Sequence, residues 1–415
     1  MRRALAADYT LVALALVLST FGIATVYSAG QTDISQIFAG LWRMQALYLA
    51  LGLGAAWVVS RTTVRVLDYL SPAVYIGTNL MLVLLLFIGR GAGTAKSTKS
   101  WLYIGDVSIG QPSELAKIAV VIMLAKVLSS RGDAPKSLLD LWKPALVVGL
   151  PWTLIMLQPD LGTGLVFIGI FFAMLFWAGC DWKLLVLAAS PVVSLVMAFS
   201  TSLWGAWFIL LIALVIYAKP HILESVLVVA ANLVMGVVAP LIWAGMDGYK
   251  QRRLLVFLDP SSDPLKGGYH VMQSQVAIGS GGWFGKGFGA GSQKRLGYLP
   301  EQHTDFIFPV VGEELGFLGV VVALGLFAWL MMRCIRIAGR SMNPFASLAA
   351  FGLVSMLFVH VLVNVGMTIG VMPITGIPLP FFSYGGSFML ACWIAVGLLI
   401  RLSLEGRGQA DTLVI

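Results

Sequence analysis

Long apolar runs recur along this 415-residue chain from one end to the other, and they constrain its fold more than any other feature. An α-helix needs about 20 such residues to cross the hydrocarbon core of a bilayer. Only 11% of the residues are Asp, Glu, Lys or Arg, whereas a soluble globular chain carries about 25%. The sequence therefore predicts an all-α, polytopic helical bundle in a membrane, and it excludes a soluble enzyme, a disordered chain and a coiled coil.

Twelve apolar runs are candidates for transmembrane helices, so we expect a bundle of 10–12 spans. The runs fall at 9–28, 44–60, 72–89, 112–128, 144–157, 161–178, 183–199, 203–218, 222–244, 306–332, 346–368 and 380–400. The run 144–157 is short for a full span, which would fit a tilted or re-entrant helix. The first run has features of a signal peptide, but its length and the many later spans favour a retained helix.

The distribution of Lys and Arg predicts that the N-terminus is cytoplasmic, since short cytoplasmic loops carry the excess of positive charge. The net charge of +8 then reflects these loops and not a nucleic-acid partner. Two outer segments, 90–111 and 245–305, break this rule. Either charge bias is weakly enforced in longer loops, or cations lie outside because an anionic ligand binds there. Clusters of aromatic, Gly and carboxylate residues in both segments favour a ligand.

Three charged residues lie near the predicted outer ends of helices, where lipid would penalise them. Glu114 and Lys117 are three residues apart and so share one helical face, and Asp160 begins the sixth run. A charge in lipid costs a few kcal/mol unless it is paired. We therefore expect one network that faces the protein interior. It is either a structural ion pair or the lining of a substrate cleft.

The outer segment 245–305 is too long to be a simple connection, since loops of this length are functional or disordered. Its Asp-Pro and Gly-Gly pairs predict ordered turns and not a helix. The glycine run 279–287 does not have P-loop spacing, and neither the histidines nor the three distant cysteines have metal-ligand spacing. His360 and Asn364 are more typical of an interhelical hydrogen-bond pair than of a site. Ser383 and Ser387 would line a cleft or allow close helix packing.

The motifs together resemble the SEDS family (shape, elongation, division and sporulation) of cell-wall polymerases, to which RodA and FtsW belong. The matching segments follow the family order over most of the chain: Trp101, 111–117, 158–163, 263–269, 273–274, 299–308, 312–316 and 378–387. Details at 269–282 are more similar to RodA than to FtsW. The segment 97–100 departs from the family pattern, with Lys99 as a possible substitute for an arginine.

The resemblance implies one SEDS-type membrane domain over 1–415, with the active site on the large extracytoplasmic loop 245–305. Family members usually have about ten spans, so 183–244 is predicted to contain two extra transmembrane helices. The implied location is the bacterial cytoplasmic (inner) membrane, with a multi-pass topology and the active site on the periplasmic face.

The resemblance implies a peptidoglycan glycosyltransferase that polymerises lipid II for cell-wall elongation. Asp263 matches the family's catalytic aspartate and is assigned as general base, and Asp259 is a competitor that spacing alone does not exclude. The residues assigned to substrate binding are Trp101, Glu114, Lys117, Asp160, Lys266, His303, Asp305 and Ser383. Lys266, Lys286, Arg252 and Arg253 are candidates for binding the pyrophosphate. No protein metal site and no organic cofactor are expected, although a divalent cation (Mg²⁺ or Mn²⁺) would suit the leaving group.

The partner implied by the resemblance is a class B penicillin-binding protein, which supplies transpeptidation. Three alternatives stay open on the sequence alone: an FtsW-type division polymerase, a lipid II flippase, and a scaffold without chemistry of its own. The concentration of polar residues at the outer side favours chemistry there over a transport path through the membrane.

Overall fold

The computed structural model of the chain describes residues 8–33, 38–91, 99–105, 107–245, 267–299 and 301–410. Asp263 and Lys266, together with Asp259, Arg252 and Arg253, lie outside the described residues. Within them, helices dominate and the strands form a single small hairpin. The predicted all-α bundle is confirmed.

A long helix occupies each of the twelve predicted runs. The first nine are α1 Tyr9–Ala29, α2 Leu41–Ser60, α3 Val64–Ile88, α4 Pro112–Ser129, α5 Trp142–Leu157, α6 Leu161–Trp177, α7 Trp182–Met197, α8 Thr201–Ala218 and α9 Ile222–Gly245. Two shorter helices, α10 Gly267–Ser280 and α11 Ser292–Arg295, precede α12 Ile307–Arg340, α13 Pro344–Thr368 and α14 Gly386–Ala410.

Eight helical segments in the described part of the chain are long and apolar enough to cross a membrane. One of them joins a 3-10 turn, Leu139–Leu141, to α5, so the short run at 144–157 becomes a candidate span of 19 residues. The helices α6 and α7 are apolar but shorter. The protein is therefore a multi-pass membrane protein.

Helix α13 lies at the centre of the bundle and packs against α4, α6 and α12, while α14 packs against α2. Small residues on α13 allow this close approach, since Ala346, Ala350 and Gly352 leave room for neighbouring helices. Helices α1 and α12 are antiparallel: the N-cap Asp8 of α1 pairs with Arg333 near the end of α12. The apolar core is continuous through these helices.

The three helices α7, α8 and α9 form a peripheral group, in which α7 packs against α9 and α8 buries only Leu211. Inside this group Asn232 Nδ2 donates to Ser190 Oγ at 2.8 Å, and Ser194 Oγ donates to Asn232 Oδ1 at 2.6 Å. Interhelical hydrogen bonds of this kind hold helices together in lipid. That two of these helices are additional to the family's usual set stays a prediction.

Helices α4, α6, α12 and α14 begin at the same end of the bundle, which we call the loop end. Strands β1 Leu102–Ile104 and β2 Val107–Gly110 form an antiparallel hairpin just before α4. The prediction of turns without a helix in 245–305 was wrong for 267–280, which forms α10. Its Gly-Gly pair lies at the helix N-terminus, and Val271, Ser274 and Ala277 recur at helical spacing on its buried face.

Candidate functional site

The first turn of α4 carries a buried ion pair. Pro112 opens the helix, where a missing N–H costs nothing, and Glu114 lies in the first turn, where the helix dipole favours a carboxylate. The spacing of three residues brings Lys117 Nζ to 2.8 Å from Glu114 Oε2, with both side chains almost fully buried. The predicted pairing on one helical face is confirmed.

His360 of α13 completes this group, which we call the helix cluster: Glu114, Lys117 and His360. Its Nε2 lies 2.7 Å from Lys117 Nζ, and its Nδ1 lies 3.1 Å from the carbonyl oxygen of Pro378. A carbonyl can only accept, so Nδ1 carries the proton and Nε2 accepts from the ammonium. Lys117 therefore has one carboxylate and one neutral imidazole as partners, and the ring of Phe388 lies 5.6 Å from Nζ.

Asp160 meets the N-terminus of α4 through Gln111. It caps α6 by accepting from the backbone N–H of Thr163 at 3.0 Å, and its Oδ2 accepts from Gln111 Nε2 at 2.8 Å. The backbone N–H of Gln111 donates to Ser387 Oγ at 3.2 Å. Residues from α4, α6 and α14 thus converge beside the helix cluster. Asp160 joins α4 through Gln111 and not through an ion pair with Lys117, so the predicted network of all three charges is only partly formed.

Close approach at this point requires glycine. Gly110 has a φ of 139°, and a Cβ there would lie 2.8 Å from the Cβ of Ser387. A larger residue would push the hairpin away from α14 and break the contact between Gln111 and Ser387. The β-hairpin and the helix cluster are therefore held in one unit.

The segments 301–305 and 378–384 pack together beside the helix cluster, and most of residues 378–384 are buried. Ser383 is buried, and its hydroxyl donates to the Thr304 carbonyl at 2.6 Å while accepting from the Leu379 N–H at 2.8 Å. The backbone carbonyl of Asp305 accepts from Asn364 Nδ2 at 2.9 Å. These contacts fix the two segments against each other, and the Ser383 hydroxyl is already engaged in them.

The ring of His303 stacks on Phe38, with a centroid distance of 4.6 Å, and lies 5.9 Å from the ring of Tyr384. Burial lowers the pKa of His303 below its usual range, although the nearby Glu301 carboxylate opposes this shift. The neutral imidazole is therefore favoured at neutral pH. Among the described residues, its buried Nδ1 has no hydrogen-bond partner, so a water would complete its bonding.

A second charged group lies at the loop end, and we call it the loop clasp: Ser28, Lys286, Lys294, Glu313 and Glu314. All of its members except Lys286 are buried. Lys294 is fully buried; its Nζ ion-pairs with Glu314 and donates to the Ser28 carbonyl at 2.7 Å. The Ser28 hydroxyl donates to Glu314 Oε2 at 2.6 Å. The clasp thereby ties the segment after α10 to both α1 and α12.

The other half of the clasp is the pair between Lys286 and Glu313. Lys286 Nζ lies 2.8 Å from Glu313 Oε1, which also accepts from the backbone N–H of Gln293 at 3.0 Å. Lys286 was a sequence-based candidate for binding pyrophosphate, but here its charge is already paired. Each of these carboxylates has a Lys partner and further hydrogen bonds.

A break in α12 makes room for this segment. Gly316 has a φ of 64° and a ψ of −162°, which interrupts the helix. A Cβ at Gly316 would lie 2.3 Å from the backbone nitrogen of Gly285. The backbone of 282–287 instead bonds directly to α12, as in the bond from the Phe317 N–H to the Gly282 carbonyl at 2.8 Å.

Of the remaining residues that the sequence singled out, Trp101 and Lys99 lie in the described part of the chain. Trp101 forms an isolated bridge with Arg90, with backbone hydrogen bonds of 3.1 Å in both directions. Asp263 and Lys266 lie outside the described residues, so their roles stay predictions. Lys99 donates to the Leu86 carbonyl at 3.3 Å.

Sequence reasoning underestimated His360 and did not find the loop clasp. The signal for His360 was its position one turn from Asn364 in an apolar helix, which also fits a structural pair. Ser28 and Glu314 are 286 residues apart in sequence, so no local spacing could connect them. The adjacent carboxylates at 313 and 314 were visible only as part of the family resemblance.

No group of three or more His, Cys, Asp or Glu side chains in the described part of the chain is arranged to hold a metal ion. The acidic residues at 259 and 263 lie outside that part. A divalent cation at the site therefore stays a prediction.

The chain matches the family of the cell cycle proteins FtsW, RodA and SpoVE over residues 8–207 and 200–408. It belongs to this family. It is 35% identical over 397 residues to the peptidoglycan glycosyltransferase MrdB of Escherichia coli K12, which covers 95% of this chain and 93% of that protein. It is also 34% identical over 414 residues to a probable peptidoglycan glycosyltransferase FtsW of Geobacter sp. M18. That match covers 99% of this chain and all of the Geobacter protein.

The fold of this family member is also that of a solved structure. This structure is described as "Structural coordination of polymerization and crosslinking by a peptidoglycan synthase complex". One of its chains superposes on this chain with a TM-score of 0.71. The two are 30% identical, and the match covers 96% of this chain and 97% of the other. The resemblance that the motifs indicated is therefore confirmed over nearly the whole length.

Proposed function

We propose that the chain is a peptidoglycan glycosyltransferase that polymerises lipid II into glycan strands. The observation that carries this proposal is the convergence of a buried Lys–Glu pair, Asp160 and His303 at one end of a membrane bundle, in a family whose relatives are named for this activity. Lipid II is an undecaprenyl-pyrophosphate-linked disaccharide-peptide. A membrane bundle suits it because the polyprenyl chain stays in lipid while the headgroup reaches the loop end.

The reaction is an inverting glycosyl transfer. The 4-hydroxyl of an acceptor GlcNAc attacks the anomeric carbon of a donor MurNAc, forming the new glycosidic C–O bond. The bond from that carbon to the pyrophosphate oxygen breaks, and undecaprenyl pyrophosphate leaves with the electron pair. We assign Asp263 as the base that takes the hydroxyl proton, for which it must lie within about 3 Å directly or through one water.

In this proposal, the helix cluster supplies a cation to the reaction. Lys117 is buried, and only one of its two polar partners is charged. A diphosphate that develops negative charge on departure would be stabilised by such a preorganised ammonium in a low-dielectric site. Asp160 and Gln111 lie beside it with groups that suit sugar hydroxyls. If the ion pair is only structural, however, the same geometry would serve to lock α4 against α13.

We further propose that the loop end faces the periplasm of a bacterial inner membrane, with the N-terminus in the cytoplasm. Positive charge in the short loops at the opposite end supports this orientation. The variant Lys266→Cys, in a chain that lacks Cys180, Cys334 and Cys392, tests this orientation. Its single thiol is labelled with a membrane-impermeant maleimide. Labelling in intact spheroplasts is expected, and labelling only after lysis would reverse the topology.

We assign the chain to side-wall elongation, supported by the RodA-like details at 269–282. Relatives named for both roles match it equally well. A class B penicillin-binding protein is the expected partner, since the similar solved structure is a peptidoglycan synthase complex. Co-purification with an elongation-type transpeptidase is the expected result, and capture of a division-type transpeptidase alone would assign the chain to division.

Polymerisation by the purified protein in detergent micelles tests the activity directly. Glycan strands should form from lipid II and should be lost in Asp263→Ala. Micelles contain no second compartment, so a flippase would give no product. A scaffold would also give none until its partner is added, and in either case the polymerase proposal would fail.

A further inference from the structure

A pocket of about 510 Å³ opens beside the loop clasp, outside the residues assigned to the reaction. Its walls come from the end of α1 and from the segment around α11. Tyr27 and Phe288 supply aromatic rings, while Gln31, Asp33 and Arg295 supply polar groups. The pocket is open at the surface, and its lining is more polar than apolar.

The aromatic and polar groups of this pocket are exposed. The rings of Tyr27 and Phe288 are nearly parallel, at 12° with centroids 6.4 Å apart, and Phe288 is 55% exposed. Arg295 Nη2 lies 3.2 Å from Asp33 Oδ1, and both side chains are about half exposed. The pair thus offers guanidinium donors and a carboxylate acceptor beside the two aromatic faces.

This combination fits a sugar better than a wholly apolar ligand. A pyranose ring has apolar C–H faces that pack on aromatic rings, while its hydroxyl and N-acetyl groups project from the edge toward polar side chains. Arg295 would in addition suit a carboxylate, because its planar fork binds carboxylates through two parallel bonds. Exposed aromatics also occur in the interfacial belts of membrane proteins, but a belt requires no half-exposed ion pair beside the rings.

The pocket is connected to segment 301–305 by direct contacts. Ser28 of the clasp lines the pocket, and the neighbouring Ala29 carbonyl accepts from Gln302 Nε2 at 2.8 Å. The next residue, His303, accepts through its backbone carbonyl from the Tyr384 N–H at 2.8 Å. Segment 301–305 is thus bonded to the end of α1 at the pocket and to segment 378–384 beside the helix cluster.

We propose that the pocket binds N-acetylated sugar units of the glycan strand, at a subsite away from the reacting bond. This inference rests on the proposed function. A strand held there would stay bound between successive additions, so the pocket would set the length of the product. Strand length and direct sugar binding are the two quantities that this role would change.

A lipid-free tetrasaccharide of alternating GlcNAc and MurNAc is a suitable probe for the full-length protein in detergent. Saturation-transfer NMR and a titration measure its binding, and a lipid II assay measures strand length. We expect Phe288→Ala to weaken binding by about 2- to 10-fold, the size of one aromatic contact, and to shorten the strands more than it slows lipid II consumption. Arg295→Lys, which keeps the charge but loses the fork, should act in the same direction.

The matched control is Phe284→Ala, which removes the same ring from the same segment at a position that is 80% exposed and outside the pocket. It should leave binding and strand length unchanged. If Phe288→Ala and Arg295→Lys equal this control, or alter only thermal stability, the pocket is a membrane-interface feature and the inference is overturned. If instead the wild type binds the tetrasaccharide through Phe288 but makes no strands, the proposed function fails while the sugar subsite stands.

Discussion

The helix cluster and the loop clasp are both charged and close to the loop end, and every member except Lys286 is buried. They are nevertheless built differently. In the helix cluster the ion pair lies within one helix. The ammonium of Lys117 contacts both the Glu114 carboxylate and the neutral imidazole of His360. In the loop clasp Lys294 and Lys286 each have a carboxylate partner of their own, supported by backbone and hydroxyl groups. The clasp joins distant parts of the chain, while the cluster joins two adjacent helices.

This difference indicates a structural role for the loop clasp and a substrate-binding role for the helix cluster. A fully satisfied network rigidifies the segment it binds, which is the role we assign to the clasp. In the helix cluster the Lys117 ammonium has one carboxylate partner and one neutral imidazole partner. Asp160 lies at the same helix terminus. Such an arrangement suits a site that receives an anionic substrate.

Removing the two buried lysines separately should give the largest effects. Lys117→Met and Lys294→Met each leave a buried carboxylate unpaired, which costs about 3–5 kcal/mol of stability. Thermal unfolding in detergent measures this loss. Polymerisation per folded molecule should then fall about 100-fold more in Lys117→Met, since only that variant loses a transition-state contact. Equal activity of the two variants per folded molecule would make the helix cluster purely structural.

Exchanging the charges sharpens the comparison. The double variant Lys294→Glu with Glu314→Lys should regain most of the stability that the single variants lose, because pairs in contact couple by about 0.5–3 kcal/mol. Lys117→Glu with Glu114→Lys should regain stability but stay inactive, since the ammonium has moved. An active helix-cluster exchange would argue against a role for Lys117 in binding pyrophosphate.

Gly316→Ala tests how the clasp depends on the break in α12. A non-glycine residue at this backbone conformation costs about 1–3 kcal/mol, and its Cβ would collide with the backbone of Gly285. Thermal unfolding should shift downward accordingly. Gly325→Ala in the same helix is the control, because nothing lies within 4 Å of a Cβ there, and it should be neutral or slightly stabilising.

The smallest effect concerns pH. Burial lowers the pKa of His303 in the folded protein, so the unfolded chain binds more protons near this pKa. Stability should therefore rise with pH up to about 6.5, the ordinary value for His, and fall as the pH drops toward the lowered folded value. His303→Gln should flatten this dependence, while His221→Gln, at an exposed position, should leave it unchanged. An unaltered profile in His303→Gln would contradict the assignment.

Much of the bundle could be predicted from the sequence because membrane insertion imposes a length and a polarity on each helix. Every predicted apolar run contains a helix, and the pair at 114 and 117 follows from helical spacing alone. The helix at 267–280 departs from the prediction because Gly-Gly favours a turn, although the buried positions after it recur with helical period.

The loop clasp could not be predicted for a different reason. Its members come from α1, the segment after α10 and α12, and only folding brings them together. The break at Gly316 is equally invisible locally, since a glycine in an apolar helix is ordinary in membrane proteins. His360 was visible but ambiguous, because its role depends on meeting Lys117 across a helix interface.

The most direct test of the central claim, that a carboxylate at the loop end drives glycosyl transfer to lipid II, compares two isosteric variants of neighbouring aspartates. Asp263→Asn and Asp259→Asn should both fold and bind lipid II. The initial rate of polymerisation should fall about 10²–10⁴-fold in Asp263→Asn, as loss of a general base requires, and stay near wild type in Asp259→Asn. Wild-type polymerisation by Asp263→Asn would contradict the account.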